Sequence, residues 1–160
     1  VPCAGFLFKE KQALPHIRRE MIDAFNIPIS QINNIKAGAS WTTEDGTFIP
    51  HERLTFPAEP ARSYAYCSDT RYSPRLAEMI QGVDLLYHEA TFPHEMLTQA
   101  QKTMHSTSIE AAMMAKSAGA AKLLIGHYSA RIKNESPLLE EAKSVFPNTI
   151  LAQEGIKIRI

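Results

Sequence analysis

A chain of 160 residues with 44% hydrophobic side chains is long enough for one domain with a true core. Its 17 Lys and Arg balance its 17 Asp and Glu, which excludes a uniformly basic nucleic-acid coat and leaves only local patches. No apolar run approaches the roughly 20 residues of a membrane span. Val1–Phe8 has neither the basic start nor the cleavage site of a secretory leader. Cys3 and Cys67 are too few for a disulfide scaffold, which points to a reducing cytoplasm.

The opening string VPCAGFLF lacks an initiator Met and alternates, predicting a strand over Pro2–Phe8 that is already under way at the first residue. That is the pattern of a processed or tag-cleaved terminus or, the sharper expectation, of a segment cut from a longer protein. Between Lys9 and Arg62 apolar residues thin out and many of the ten prolines fall. Leu14–Phe25 and Ser30–Ala37 predict two short helices, the second ending at Gly38. Trp41–Ile49 carries Glu44-Asp45-Gly46 between β-formers, a hairpin signal. The stretch reads as an appendage too poor in apolar residues to be a domain of its own.

After Arg62 the rhythm is regular. Strands are predicted at Tyr64–Ser68, Asp84–His88, Lys122–Gly126, Thr149–Ala152 and Ile156–Ile160. Helices are predicted at Pro74–Ile80, at Ser108–Ala118 behind a Ser cap with Glu110 in its first turn, and at Leu138–Val145. Strand–helix alternation at these lengths is that of an α/β layer structure.

Three of these strands run into polar residues: Ser68-Asp69-Thr70, Glu89-Ala90-Thr91 and His127-Tyr128-Ser129. In α/β sheets, ligands collect outside the carboxyl ends of strands. Carboxylate and neutral imidazole suit zinc or manganese, and a carboxylate between two cations can bridge them. A two-metal site about 3.5–4 Å across clamps the attacking and leaving oxygens of a phosphodiester. Plainer readings exist for each residue. Asp69 suits a turn, His88 a hydrogen-bonded core position, and His105 a capped loop. His127 is the best single ligand candidate, since Leu123, Leu124 and Ile125 deliver it to a strand end. Two clear ligands remain too few for zinc.

The strings YCSDTR (Tyr66–Arg71), LLYHEATF (Leu85–Phe92), HSTSIEAAMMAKSAGAAKLLIGHYSARI (His105–Ile132) and VFPNTILAQEG (Val145–Gly155) occur in this order. Together they strongly resemble the second half of the ribonuclease Z family, within the metallo-β-lactamase superfamily. The resemblance covers essentially the whole chain, and Gly46-Thr47-Phe48-Ile49 after Glu44-Asp45 resembles the family's hairpin. It implies that Asp69 bridges two zinc ions and that His127 is the last histidine ligand of the second. It implies that His105 acts at the scissile phosphate without ligating, as proton donor or stabiliser, with Glu89 orienting it. Ser129 and Arg131 would hold phosphate oxygens, Arg bidentately; a surface ion pair is the plainer role for Arg131. The family's H-x-H-x-D-H motif, with most first-zinc ligands, has no counterpart here, and His16 and His51 match no ligand.

Lys9–Arg62 corresponds to the family's flexible arm, an exosite for the tRNA elbow. Ile27-Pro28-Ile29-Ser30-Gln31 lacks the arm's usual Gly-Pro step. Lys9, Lys11, Arg18, Arg19 and Lys36 could meet phosphates there, or simply face solvent. The implied fold is the C-terminal half of an αββα sandwich: a mixed β-sheet with helices on its outer face plus a protruding arm. The implied activity of the intact protein is zinc-dependent cleavage of precursor tRNA at its 3′ end, in the cytoplasm, as a homodimer, with the fragment alone inactive and able to be metal-free. The rivals are another hydrolase of the superfamily, phosphodiesterase or arylsulfatase-like, and a non-catalytic tRNA-binding module.

Overall fold

In the computed structural model, which describes residues 3–160, the first strand is β1, Phe6–Lys9. It starts later than the alternation predicts, and Pro2 lies outside the described residues.

Glu10–Ala61 is a compact unit by itself. It holds β2 (His16–Ile17), α1 (Arg19–Ala24), α2 (Ile29–Lys36), β3 (Trp41–Thr42), β4 (Phe48–Ile49), α3 (His51–Leu54) and β5 (Thr55–Phe56). The single helix predicted over Leu14–Phe25 is instead a strand followed by a helix. Pro15 disfavours helical backbone at Leu14. His16 and Ile17 then pair antiparallel with Phe56 and Thr55, and the Arg18 N–H donates to Leu54 O at 2.8 Å. Arg18 is held locally as well. Its guanidinium lies 4.1 Å from the Phe56 ring centroid and its Nε donates to Thr55 O. The predicted hairpin forms as β3 and β4, with Gly46 at φ +87° in the turn. The Thr43 hydroxyl and the Thr47 N–H hold the Asp45 carboxyl below the usual range. Ile27, Ile35, Ile49 and Leu54 are buried together, so this stretch has a small core of its own.

The second unit joins the residues up to Lys9 to Arg62–Ile160. It continues with β6 (Ser63–Cys67), α4 (Pro74–Met79), β7 (Leu85–Glu89), a 3₁₀ turn at His94–Met96, α5 (Leu97–Thr103), α6 (Ser108–Ala118), β8 (Lys122–Gly126), α7 (Ser136–Val145) and β9 (Thr149–Leu151). The sheet order is β1-β6-β7-β8-β9, with β1 antiparallel to β6 and every later pair parallel. The 3₁₀ turn and α5 fall where no element is predicted, and Ile156–Ile160 forms no strand.

Period-two alternation gives the sheet two faces. Ala65, Cys67, Leu86, Leu123 and Ile125 join Ala77 of α4, the alanines of α6, and Leu138 and Ala142 of α7 in one buried cluster. Each of its Leu and Ile side chains contributes about 1.5–3 kcal/mol on burial. Ala111, Ala112, Ala115 and Ala118 are fully buried, so small side chains let α6 pack closely in this cluster. Its N-cap is Thr107, not a serine. The Thr107 hydroxyl accepts from Glu110 N while the Glu110 carboxylate accepts from Thr107 N, and Gly119 closes the helix at φ +61°. The opposite face is aromatic: Tyr66 stacks on Tyr87 at 4.7 Å and Phe8 on Tyr64 at 5.9 Å, with Phe6 and Phe8 largely exposed.

Candidate active site

Because β6, β7 and β8 are parallel, their carboxyl ends share one edge. The register pairs Cys67 with His88 and Glu89 with Gly126, which brings the three following loops level. Asp69 leaves β6 with φ +51° and His127 leaves β8 with φ +59°. Positive φ is uncommon outside glycine, though Asp and His tolerate it better than most. Met104, directly before His105, has φ +64°. Three of the four described non-glycine residues with positive φ therefore sit at or beside candidate site residues, the distribution expected where function holds the backbone in sparse conformations.

The candidates converge. Asp69 Oδ1 lies 3.3 Å from His127 Nε2, and both side chains are about half exposed. The His105 ring stacks beside His127, with centroids 5.4 Å apart and 28° between planes. Among the described residues, Asp69, His105 and His127 are the one group of His, Cys, Asp or Glu whose potential ligand atoms lie within 4.8 Å of one another.

Glu89 organises this edge. It is fully buried, and four donors meet it: His105 Nδ1 at 2.7 Å and Thr70 N at 2.7 Å on Oε1, Thr91 Oγ1 at 2.5 Å and Ser106 N at 3.1 Å on Oε2. Those donors come from the loop after β6, the loop before α6 and the loop after β7 itself. The family resemblance implies one partner for Glu89, His105. The structure adds Thr91, whose oxygen also lies 2.9 Å from His127 Nδ1, and the backbone of Thr70 and Ser106. Thr91 stands in the HEATF string, but no pattern marked its hydroxyl. Only tertiary contacts do.

Ser129 and Arg131 lie beside the same edge. The Ser129 N–H donates to Thr91 O at 3.0 Å, and the Arg131 N–H donates to Ser129 Oγ at 3.4 Å. With His105, Thr91, Phe92 and α5 residues Gln99 and Thr103 they line a cavity of about 270 Å³. His88 is the packed core histidine of its plainer reading. It is fully buried, its Nδ1 meets Glu89 O at 2.8 Å, and burial lowers its pKa. Cys67 is buried, and burial raises its thiol to about 11.

The donor set fits a metal. Two ligands of a tetrahedral zinc with bonds of about 2.0–2.1 Å stand about 3.3–3.4 Å apart, and the Asp69–His127 separation matches that edge. The pair supplies one hard oxygen and one borderline nitrogen.

The fold and this edge define a class: the chain has the metallo-β-lactamase fold. Over 59% of its length it superimposes on the metallo-β-lactamase fold protein YhfI of Bacillus subtilis, with TM-score 0.55, 29% identity and 39% of that chain covered. A long-form RNase Z from yeast gives TM-score 0.53 and 28% identity, covering 59% of this chain and 13% of that one. The curated relatives similar to the chain along its whole length are ribonuclease Z proteins. The chain is 51% identical over all 160 residues to the ribonuclease Z of Phocaeicola vulgatus and 50% identical to that of Bacteroides thetaiotaomicron, covering 52% and 51% of those proteins. The chain thus spans about half the length of the curated relatives it matches. No family model matches it.

Proposed function

We propose that the intact protein is a zinc-dependent endoribonuclease that cleaves precursor tRNA at its 3′ end, working in the cytoplasm as a homodimer. In this reading Asp69 and His127 would hold the metal, with Asp69 as the carboxylate shared by two zinc ions. His105 gives a proton to the leaving oxygen, Glu89 holds His105 in place, Ser129 and Arg131 grip phosphate oxygens, and Lys9–Arg62 is the tRNA-gripping arm. The observation that carries it is the buried Glu89 carboxylate aligning the His105 ring beside the Asp69–His127 pair. Zinc, when bound, supplies an activated water and charge stabilisation at the phosphate. The His105 Nδ1–H is held by Glu89, so Nε2 is the atom left to face substrate. Arg131 lines the same cavity as His105, where a phosphate between them meets both a cation and a proton donor. The remainder of the sandwich would cover the aromatic face of Phe6, Phe8, Tyr64, Tyr66 and Tyr87. Among the described residues no helix is long and apolar enough to cross a membrane.

The 160-residue chain alone is expected to hold zinc weakly, because Asp69 and His127 leave most coordination positions to water. Metal analysis after dialysis would refute this if it returned two zinc ions per chain.

The function itself is tested with the full-length protein and a version with Glu10–Ala61 replaced by a short linker. The parent should cleave precursor tRNA and a small phosphodiester. The deletion should keep the second activity, weaken the first, and flatten the salt dependence of tRNA binding, since each lost phosphate contact removes about one unit of slope. A parent that cleaves only the small ester favours the small-ester hydrolase. One that binds tRNA and cleaves nothing favours the binding module. Equal loss on both substrates would mean that the unit supports the site rather than the grip.

A further inference from the structure

Resting on the metal-ligand reading of His127, we propose that Thr91 is a positioning residue which, backed by Glu89, fixes His127 with its proton on Nδ1 and the Nε2 lone pair toward Asp69. One buried carboxylate thereby sets the tautomers of both histidines at the site.

The direction of each proton follows from the contacts. Glu89 Oε2 and Thr91 Oγ1 are 2.5 Å apart, and two oxygens that close need a proton between them. A carboxylate only accepts, so the hydroxyl proton of Thr91 points at Glu89. Thr91 Oγ1 is also 3.0 Å from His127 O, but a hydroxyl has one proton and Glu89 takes it. The Thr91 oxygen therefore presents only lone pairs to His127 Nδ1, 2.9 Å away, and that nitrogen must carry the hydrogen. The neutral ring then has its lone pair on Nε2, the atom 3.3 Å from Asp69 Oδ1. The chain of donors runs from His127 to Thr91 to Glu89, and a shorter one runs from His105 Nδ1 to the other oxygen of the same carboxylate.

Burial makes the device rigid. Thr91 and Glu89 are 6% and 0% exposed, whereas the His127 side chain is 41% exposed. Water competes for the ring and not for the groups behind it. The Thr91 backbone is tied as well, since its carbonyl accepts from Ser129 N at 3.0 Å. An imidazole ligand backed through its second nitrogen is oriented before the metal arrives. Loss of such a partner typically costs about 10–100-fold in metal affinity.

The test uses the full-length protein, its Thr91→Val variant, which keeps the side-chain shape and removes the hydroxyl, and Thr91→Ser, which restores it. Nitrogen chemical shifts of His127 are read in metal-stripped protein at mildly alkaline pH, and zinc affinity by competition with a chelator. The parent and Thr91→Ser should show the Nδ1–H tautomer. Thr91→Val should shift His127 toward Nε2–H, leave the tautomer of His105 unchanged, and bind zinc about 10–100-fold more weakly. An unchanged His127 tautomer in Thr91→Val overturns the proposal. So does a shift that Thr91→Ser fails to reverse, because that marks a general packing effect. If the tautomer shifts as expected and the parent binds no zinc, the donor chain stands and the metal-ligand reading of His127 fails.

Discussion

Under the proposed function, replacing His105 by alanine in the full-length protein is expected to slow precursor-tRNA cleavage by about 10²–10⁴-fold, the usual value of one positioned general acid, with metal content unchanged. The structure makes this a sharp choice, because a ring nitrogen of His105 lies close enough to Asp69 and His127 to be a third ligand by proximity alone. Two contacts favour the proton-donor role. The Nδ1 is engaged by Glu89 at 2.7 Å, and the ring, with the Phe92 ring edge-on at 6.3 Å, lines the cavity that Arg131 also lines. A histidine so placed faces a group that occupies the cavity. Single-turnover cleavage and metal analysis on the same preparation decide it. Retained metal with a large rate loss supports the donor role, and metal loss in step with activity makes His105 a ligand.

Much of the alternating part of the fold was legible because its signals are local. Apolar runs such as Leu123–Ile125 mark buried parallel strands, and Ser108–Ala118 forms the expected helix, capped by Thr107 rather than by a serine. Residues 10–61 were less legible. There, one proline and a two-residue pairing with Thr55–Phe56 outweighed the helical periodicity of Leu14–Phe25. The end of the chain carries strand-like residues at Ile156–Ile160, but a strand needs a partner and the described sheet gives them none. At the site, strand-end polar residues announced Asp69, Glu89 and His127. The three left-handed backbones and the four donors around Glu89 exist only once β6, β7 and β8 lie side by side. The Thr91 hydroxyl could not be told from any other threonine after a strand.

Glu89→Gln is expected to be more damaging than His105→Ala, on stability as well as on rate. The carboxylate offers lone pairs to four donors in a fully buried position. An amide of the same shape keeps one oxygen and turns an NH₂ toward the other pair. Either Thr70 N and His105 Nδ1 lose their acceptor, or Thr91 Oγ1 and Ser106 N do. One or two buried donors left unmatched, at about 1–3 kcal/mol each, lower stability by roughly 1–6 kcal/mol, readable as a shift in the urea midpoint. The rate effect separates two views of the residue. If Glu89 acts through His105 alone, adding Glu89→Gln to His105→Ala changes neither cleavage nor metal affinity further, because the orienting group has nothing left to orient. If it also backs Thr91, and through it His127, the double variant loses zinc affinity that His105→Ala alone retains. The two donor chains end on different oxygens of one side chain, so we expect the second result. A double variant that binds zinc as tightly as His105→Ala would confine Glu89 to the proton donor.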